Sequence, residues 1–381
     1  MPYSEDHQLF RQTLRRFVAR EITPFVNDWD EQGGFPRELY QKAAETGLFG
    51  IGYPEAYGGT PGDIYYVMVV ADEIARAGSG GVRASLLSHA ISMPIVASHG
   101  PDWMKREVLT AVMSGKKVSA LAITEPAGGS DVAALRTQAV RDGDDYIVHG
   151  EKTFITSGLQ ADYFVTAVRT GTPGDSRSGL SLLLIEGNTP GLTRAPLKKM
   201  GWWASDTAHL QFDGCRVPVR NLIGPEHQGF AAMMANFNKE RIGLAASATA
   251  FAQVCLDDAI EWARLRNTFG KPLIERQVIR HKLVDMATRI EASRSFLEQV
   301  AQRFEDKSVD DKTLSAQIGM LKIFATRSLQ FCADEAVQIL GGMGYMRGNR
   351  VERIYREVKV NMIGGGSEEI LKDLASRQLG W

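Results

Sequence analysis

The sequence predicts an α+β fold in three parts: a helical N-terminal domain, a small central β-barrel or sandwich, and a C-terminal four-helix bundle. Three observations predict it. Apolar residues recur at helical spacing over residues 1–117. Short β-prone runs separated by turn residues fill 118–226. Long apolar-periodic stretches return over 227–381.

In the first part, Ser4 is placed to cap a helix that carries Leu9, Phe10, Leu14, Phe17 and Val18 on one face. Pro36 opens a second helix, and Gly47 and Gly50 close it. Pro54, Gly58, Gly59, Pro61 and Gly62 mark a loop, after which 65–77, 82–98 and 102–115 read as helices. In the second part the strand candidates are VSALAIT, YIVHG, YFVTAVRT, LSLLLIEG and HLQF. Turns are expected at Asp142-Gly143-Asp144, Gly171-Thr172-Pro173-Gly174 and Asp213-Gly214. In the third part, 228–265, 275–304 and 310–340 read as long helices, with shorter ones beginning near 347 and near Ser367.

Composition narrows the function. The net charge of −1 gives no global field for nucleic acid or anionic lipid, so any anionic ligand must be held locally. No apolar run is long enough to span a membrane, and the N-terminus lacks the pattern of a secretory signal. Cys215, Cys255 and Cys332 are isolated, which argues against a disulfide framework or zinc site and for a reducing compartment; the cytoplasm is the expectation. His89 and His99 have no third ligand in reach and read as core or surface residues, so no metal is expected.

Six stretches carry chemistry: LAITEPAGGSDVAAL (121–135), EKTFITSG (151–158), KMGWWASDTAHLQFDGCRVP (199–218), ARLRNTFGKPLIERQ (263–277), QILGGMGYMRG (338–348) and YREVKVNMIGGGSEEI (355–370). Together, and in this order, they resemble the acyl-CoA dehydrogenase family, a family of FAD enzymes, over essentially the whole chain. No strand followed by Gly-x-Gly-x-x-Gly and a helix is present, so a doubly wound dinucleotide fold is not expected.

The resemblance implies a set of FAD contacts. Leu121, Ala122, Ile123 and Thr124 line the isoalloxazine, and Ser130 reaches both FAD and substrate. Phe154, Ile155 and Thr156 match the aromatic–Ile–Thr triplet that packs on the flavin, with Phe154 in place of a more usual Trp. Arg266, Phe269, Gln277 and Gln338 match groups that meet the FAD of a neighbouring subunit, so a homo-oligomer, commonly a tetramer, is implied. Gly341 and Gly342 suit a close backbone approach to that FAD, although glycines after a long helix also serve as ordinary caps. Ser367 and Glu369 match further FAD contacts. An electron-transfer flavoprotein is the implied electron acceptor.

The reaction implied is α,β-dehydrogenation of an acyl-CoA thioester. It removes a proton from Cα and a hydride from Cβ to flavin N5, and it needs a carboxylate base and donors at the thioester carbonyl. Most family members carry that base in Tyr-Glu-Gly-Thr near the C-terminus. Here the matching stretch is Gly364-Gly365-Gly366-Ser367, so glycine stands at the usual glutamate position. The long-chain and isovaleryl branches instead place the base on the long helix, at the position of Glu240. Absence at Gly365 and presence at Glu240 agree, although a helix glutamate beside Lys239 and Arg241 can also be a solvated charge. Arg241 matches a CoA contact, Asn238 stands where an Asp often bonds the adenine side, and the Gly365 N–H remains available to the thioester carbonyl together with the FAD ribityl 2′-hydroxyl. Met233, Met234 and Phe237 read as helix core that can also wall an acyl pocket.

Other readings on the same residues are a dehydrogenase of an acyl or aminoacyl group on a carrier protein's phosphopantetheine arm, for which Asn238 speaks, and a flavin monooxygenase or nitroalkane oxidase. Glu240 speaks against the monooxygenase. A non-enzymatic helical scaffold is a further alternative, and a yellow purified protein would rule it out.

Overall fold

The computed structural model describes residues 3–171 and 179–381. The expected turn at 171–174 therefore lies, beyond Gly171, outside the described residues. The N-terminal part contains helices α1 (Glu5–Phe17), α2 (Val26–Gln32), α3 (Glu38–Glu45), α4 (Ile64–Ala75), α5 (Gly80–Leu86), α6 (His89–His99), α7 (Asp102–Met104) and α8 (Thr110–Met113). Ser4 caps α1 through a reciprocal pair with His7, as its position suggested. Two expectations are corrected. A helix precedes the one at Pro36, and the stretch 82–98 is two helices. Its break falls at Leu87, whose backbone (φ −102°, ψ 18°) leaves the helical region.

The middle part is one seven-stranded sheet: β1 (Ser119–Ala122), β2 (Gln138–Asp142), β3 (Asp145–Thr156), β4 (Tyr163–Arg169), β5 (Leu180–Glu186), β6 (Leu192–Pro196) and β7 (Thr207–Pro218). The order is β1-β4-β2-β3-β7-β6, with β5 on the other side of β4. The sheet curls round a core of Ala120, Ala122, Tyr146, Val148, Ile155, Phe164, Leu210 and Phe212. β2 and β6 escaped the sequence reading because they are short and mostly exposed. Asp213-Gly214 is not a turn. It is a bulge inside β7, where the partners of Val148 and Gly150 jump from Cys215 to Phe212.

The C-terminal part holds α9 (Gly229–Leu265), a small ribbon of β8 (Asn267–Thr268) and β9 (Lys271–Pro272), α10 (Gln277–Asp306), α11 (Asp311–Leu340), α12 (Arg350–Ile363) and α13 (Glu368–Leu379). α9, α10 and α11 pack successively against one another. Their core continues into the N-terminal part through Ile64, Met68, Ala71 and Ala75 of α4. A second face of the sheet packs on α6, α8 and Met233 at the start of α9.

A buried carboxylate joins the three parts. Glu357 of α12, 3% exposed, accepts bonds from the N–H groups of Gly80 (2.7 Å) and Gly81 (3.3 Å) at the start of α5, and from Trp202 N–H (3.2 Å) beside the sheet. Helix N-terminal amides suit an anion. Burial nonetheless pushes its carboxyl up to about 7, while the Gly80 bond pulls the other way. Among the described residues no helix is long and apolar enough to cross a membrane.

Candidate active site between the long helix and a glycine loop

Glu240 lies on α9, a little over three turns from its start, and its carboxyl faces the loop between α12 and α13. That loop is Gly364-Gly365-Gly366, with φ of +68° at Gly365 and +103° at Gly366, where only glycine is unstrained. A β-carbon on Gly365 would lie 3.8 Å from Glu240 Oε1 and 2.5 Å from Leu244 Cδ1. The missing side chain is thus what leaves room for the carboxylate and for Leu244, one helical turn after it.

Three cations surround this carboxylate. Arg241 is buried and its Nε donates to the Gly365 carbonyl at 3.0 Å. Lys322 of α11 is fully buried and donates to the Gly366 carbonyl at 2.9 Å. Arg83 of α5 reaches the Gly243 carbonyl at 3.4 Å with one terminal nitrogen, and its buried Nε has no partner among the described residues. Burial raises the Glu240 carboxyl above its ordinary value, while Arg241, Arg83 and Lys322 pull it down. A base raised by burial yet flanked by cations is more basic than a solvated carboxylate and still ionises. Glu368, the other carboxylate near the glycine loop, is committed elsewhere: Arg327 donates to it at 2.8 Å and Lys372 also pairs with it.

The flavin-side residues fall into two groups. Leu121 and Ile123 face the apolar layer against the N-terminal helices, whereas Ala122 and Ile155 turn into the core of the sheet, leaving only their backbone to a ligand. The alternation of strand residues is the reason. Thr124 is tied to β3 by the Thr153 N–H bond to its carbonyl (2.8 Å). Phe154, at φ +61° and 69% exposed, offers an open aromatic face beside Thr156. Ser130 is exposed in the loop after β1.

The second group sits at the far end of the bundle. Arg266, Phe269 and Gln277 lie where α9 ends and α10 begins, and Gln338, Gly341 and Gly342 where α11 ends; all are exposed. Phe269 is 97% exposed, and nothing lies within 4 Å of where a β-carbon would stand on Gly341 or Gly342. Arg266 is about 39 Å from Glu240 along α9 at 1.5 Å per residue. Ser367 caps α13, accepting from Ile370 N–H, and Glu369 is exposed in its first turn. Asn238 is half-buried. Burial holds His89 neutral, pulling it down to about 4. No cluster of three or more His, Cys, Asp or Glu side chains among the described residues could hold a metal.

Sequence reasoning missed Lys322, Leu244, Arg83 and the pair Glu125–Lys152. Lys322 left a signal: it is a lone cation on the apolar face that carries Ile318, Leu321, Ala325 and Leu329. Lys152 and Glu125 are both buried and 2.8 Å apart, and Glu125 also accepts from Arg136 N–H, Thr137 N–H and the Thr137 hydroxyl. This pair folds the loop containing Ser130 onto β3.

Three family models match in chain order: the acyl-CoA dehydrogenase N-terminal domain over residues 4–116, the middle domain over 120–215 and the C-terminal domain over 227–380. The chain belongs to the acyl-CoA dehydrogenase family. Among relatives of this acyl-CoA dehydrogenase, the long-chain specific mitochondrial enzyme of Sus scrofa is 34% identical, covering 99% of this chain and 87% of that one. A crystal structure of a putative acyl-CoA dehydrogenase from Mycobacterium smegmatis superposes with a TM-score of 0.96 at 45% identity, covering 99% of this chain and 98% of that one. A glutaryl-CoA dehydrogenase from the same species, solved in complex with FADH2, is 25% identical with a TM-score of 0.91 over 99% and 95% of the two chains. The fold class and the oxidoreductase reading of the sequence are therefore borne out.

Proposed function

We propose that this chain is an FAD-dependent dehydrogenase of acyl-CoA thioesters in which Glu240 removes the α-proton. The observation that carries the reading is the juxtaposition of Glu240 and Gly365: a half-buried glutamate whose carboxyl is raised by desolvation stands where the glycine loop has given up its side chain. The same arrangement supports the long-chain or isovaleryl type of base placement. The Gly365 N–H, whose residue has its carbonyl tied to Arg241, is the donor offered to the thioester oxygen.

The residues present suit a flavin. The exposed face of Phe154, the backbone around Thr124, and Ser130 offer a stacking surface and hydrogen-bonding groups in one region. Bound FAD supplies the acceptor for the β-hydrogen. Arg266, Phe269, Gln277, Gln338, Gly341 and Gly342 lie too far along the bundle to serve a ligand at Glu240 of the same chain, which supports their contacting FAD of a second copy. A homo-oligomer, with a tetramer as the expected form, follows from this. Arg241 is engaged by the loop, so its help to CoA is at most shared; Asn238 faces the substrate side in this reading. An electron-transfer flavoprotein is the expected acceptor. The three free, buried cysteines suit a reducing compartment such as the cytoplasm.

The test is Glu240→Gln. The purified variant should stay yellow and bind acyl-CoA, while bleaching of the flavin by acyl-CoA slows by about 10²- to 10⁴-fold. Bleaching at the wild-type rate would remove Glu240 from the mechanism.

A further inference from the structure

Lys322, besides lowering the Glu240 carboxyl, makes a second contact that its charge alone does not explain. It lies on the buried face of α11 at 1% exposure, and among the described residues no carboxylate forms an ion pair with it. Placing an ammonium there is costly unless good partners hold it. Burial, with Arg241 close by, pulls it down to about 8, whereas Glu240 and Glu368 favour its charge. Its Nζ donates to the Gly366 carbonyl (2.9 Å), just as the Arg241 Nε donates to the Gly365 carbonyl (3.0 Å). Two buried cations therefore hold two consecutive carbonyls of the same loop.

That loop needs holding. Three glycines in a row have the widest conformational freedom of any tripeptide, and fixing each backbone costs about 1–2 kcal/mol. No side chain can anchor it. Only the Gly364 N–H is used within the fold, bonding Val360 O at 2.8 Å. The N–H groups of Gly365 and Gly366 have no acceptor among the described residues. Tied carbonyls beside free amides make a concavity suited to negative charge. Each pinned carbonyl fixes the peptide plane it shares with the next residue, so the Arg241 bond orients the Gly366 N–H and the Lys322 bond the Ser367 N–H; Gly365 itself is held on its C-terminal side, and its own N–H is placed through that immobilised residue.

We propose that Lys322 is a positioning residue: together with Arg241 it immobilises the Gly364–Gly366 loop by its carbonyls, so that Gly365 and its N–H stay in place at the thioester oxygen. The proposal rests on the dehydrogenase reading above. Charge on that oxygen grows as Glu240 takes the α-proton, so the lock acts on α-proton acidity more than on ligand binding.

The experiment uses the FAD-loaded enzyme and a 3-thia-acyl-CoA. Its α-proton can be removed, but sulfur at the β position blocks dehydrogenation, and the resulting enolate gives a long-wavelength charge-transfer band with oxidised flavin. In Lys322→Met the band should appear at a pH about one unit higher, and flavin reduction by acyl-CoA should slow by about tenfold or more. Affinity for a CoA thioether lacking the carbonyl should stay within about threefold of wild type, because that ligand develops no charge on oxygen. Lys322→Gln, which keeps a shorter donor, should fall between the two and serves if the Met variant does not fold. An unchanged band and rate in either folded variant, or an equal loss of thioether affinity, would overturn the proposal. A wild-type enzyme giving neither band nor reduction with any acyl-CoA would instead sink the dehydrogenase reading and the proposal with it.

Discussion

Glu240 and Gly365 are complementary: a β-carbon on the glycine would stand 3.8 Å from the carboxylate oxygen, and Leu244 already occupies the space such a side chain would enter. A carboxylate therefore cannot simply be moved from position 240 to the loop. In Glu240→Gly with Gly365→Glu, the new glutamate meets Leu244 Cδ1 at its first carbon and must adopt a φ of +68°. Single-turnover flavin reduction in that double variant should stay at least about 100-fold below wild type. Adding Leu244→Ala should raise it. A double variant already active with Leu244 intact would contradict the packing argument.

Arg83 acts on the Glu240 carboxyl through space. It is one of the cations that pull the raised Glu240 carboxyl down. Only the ionised carboxylate can take a proton, so the rate of flavin reduction rises with pH through the Glu240 value. Arg83→Met should move that acidic limb to higher pH. A stopped-flow pH profile reads it, and a limb that stays put or moves down would show that Arg83 does not sense Glu240.

The Glu125–Lys152 pair is buried at both ends, so removing one partner strands the other. Lys152→Met should cost about 3–5 kcal/mol in urea unfolding and should weaken FAD retention, because the Ser130 loop loses its anchor. Adding Glu125→Leu should recover part of the stability. Full stability in Lys152→Met alone would show that the pair is not a determinant.

Glu357 gives stability a pH dependence of known sign. Its carboxyl is raised from about 4.5 to about 7 in the fold, so folding favours the protonated form. No penalty exists below the lower value; it grows as pH rises between the two and is complete above about 7, reaching about 3 kcal/mol. Glu357→Gln does not titrate. The stability of wild type minus that of the variant, from unfolding at a series of pH values, should therefore fall from pH 5 to pH 7 and then level off. A flat or rising difference would refute the assignment.

Much of this was legible in the chain. The long helices announced themselves because α9 and α11 sustain an apolar periodicity over dozens of residues, and Glu240 and Gly365, which the structure brings together, could be picked out from two short stretches far apart. What stayed hidden depends on tertiary contact. β2 and β6 are short and lack a continuous apolar run, and Asp213-Gly214 carries the composition of a turn while serving as a bulge. Arg83 follows two glycines on a short helix, and nothing local says it will cross to α9. Ala122 and Ile155 follow strand alternation into the sheet's core, an effect that a motif match does not resolve.

The carboxylate of Glu357 is fastened at once to an amino-terminal helix, to a tryptophan amide by the sheet and, through its own backbone, to the closing helices. Scissors applied at the visible seams would therefore yield orphaned fragments: the catalytic helices expressed alone would carry an unanswered buried acid, and the leading segment would lose the anion seated on its amides. The three parts meet at this one side chain, so a change made at it in one part reaches the other two.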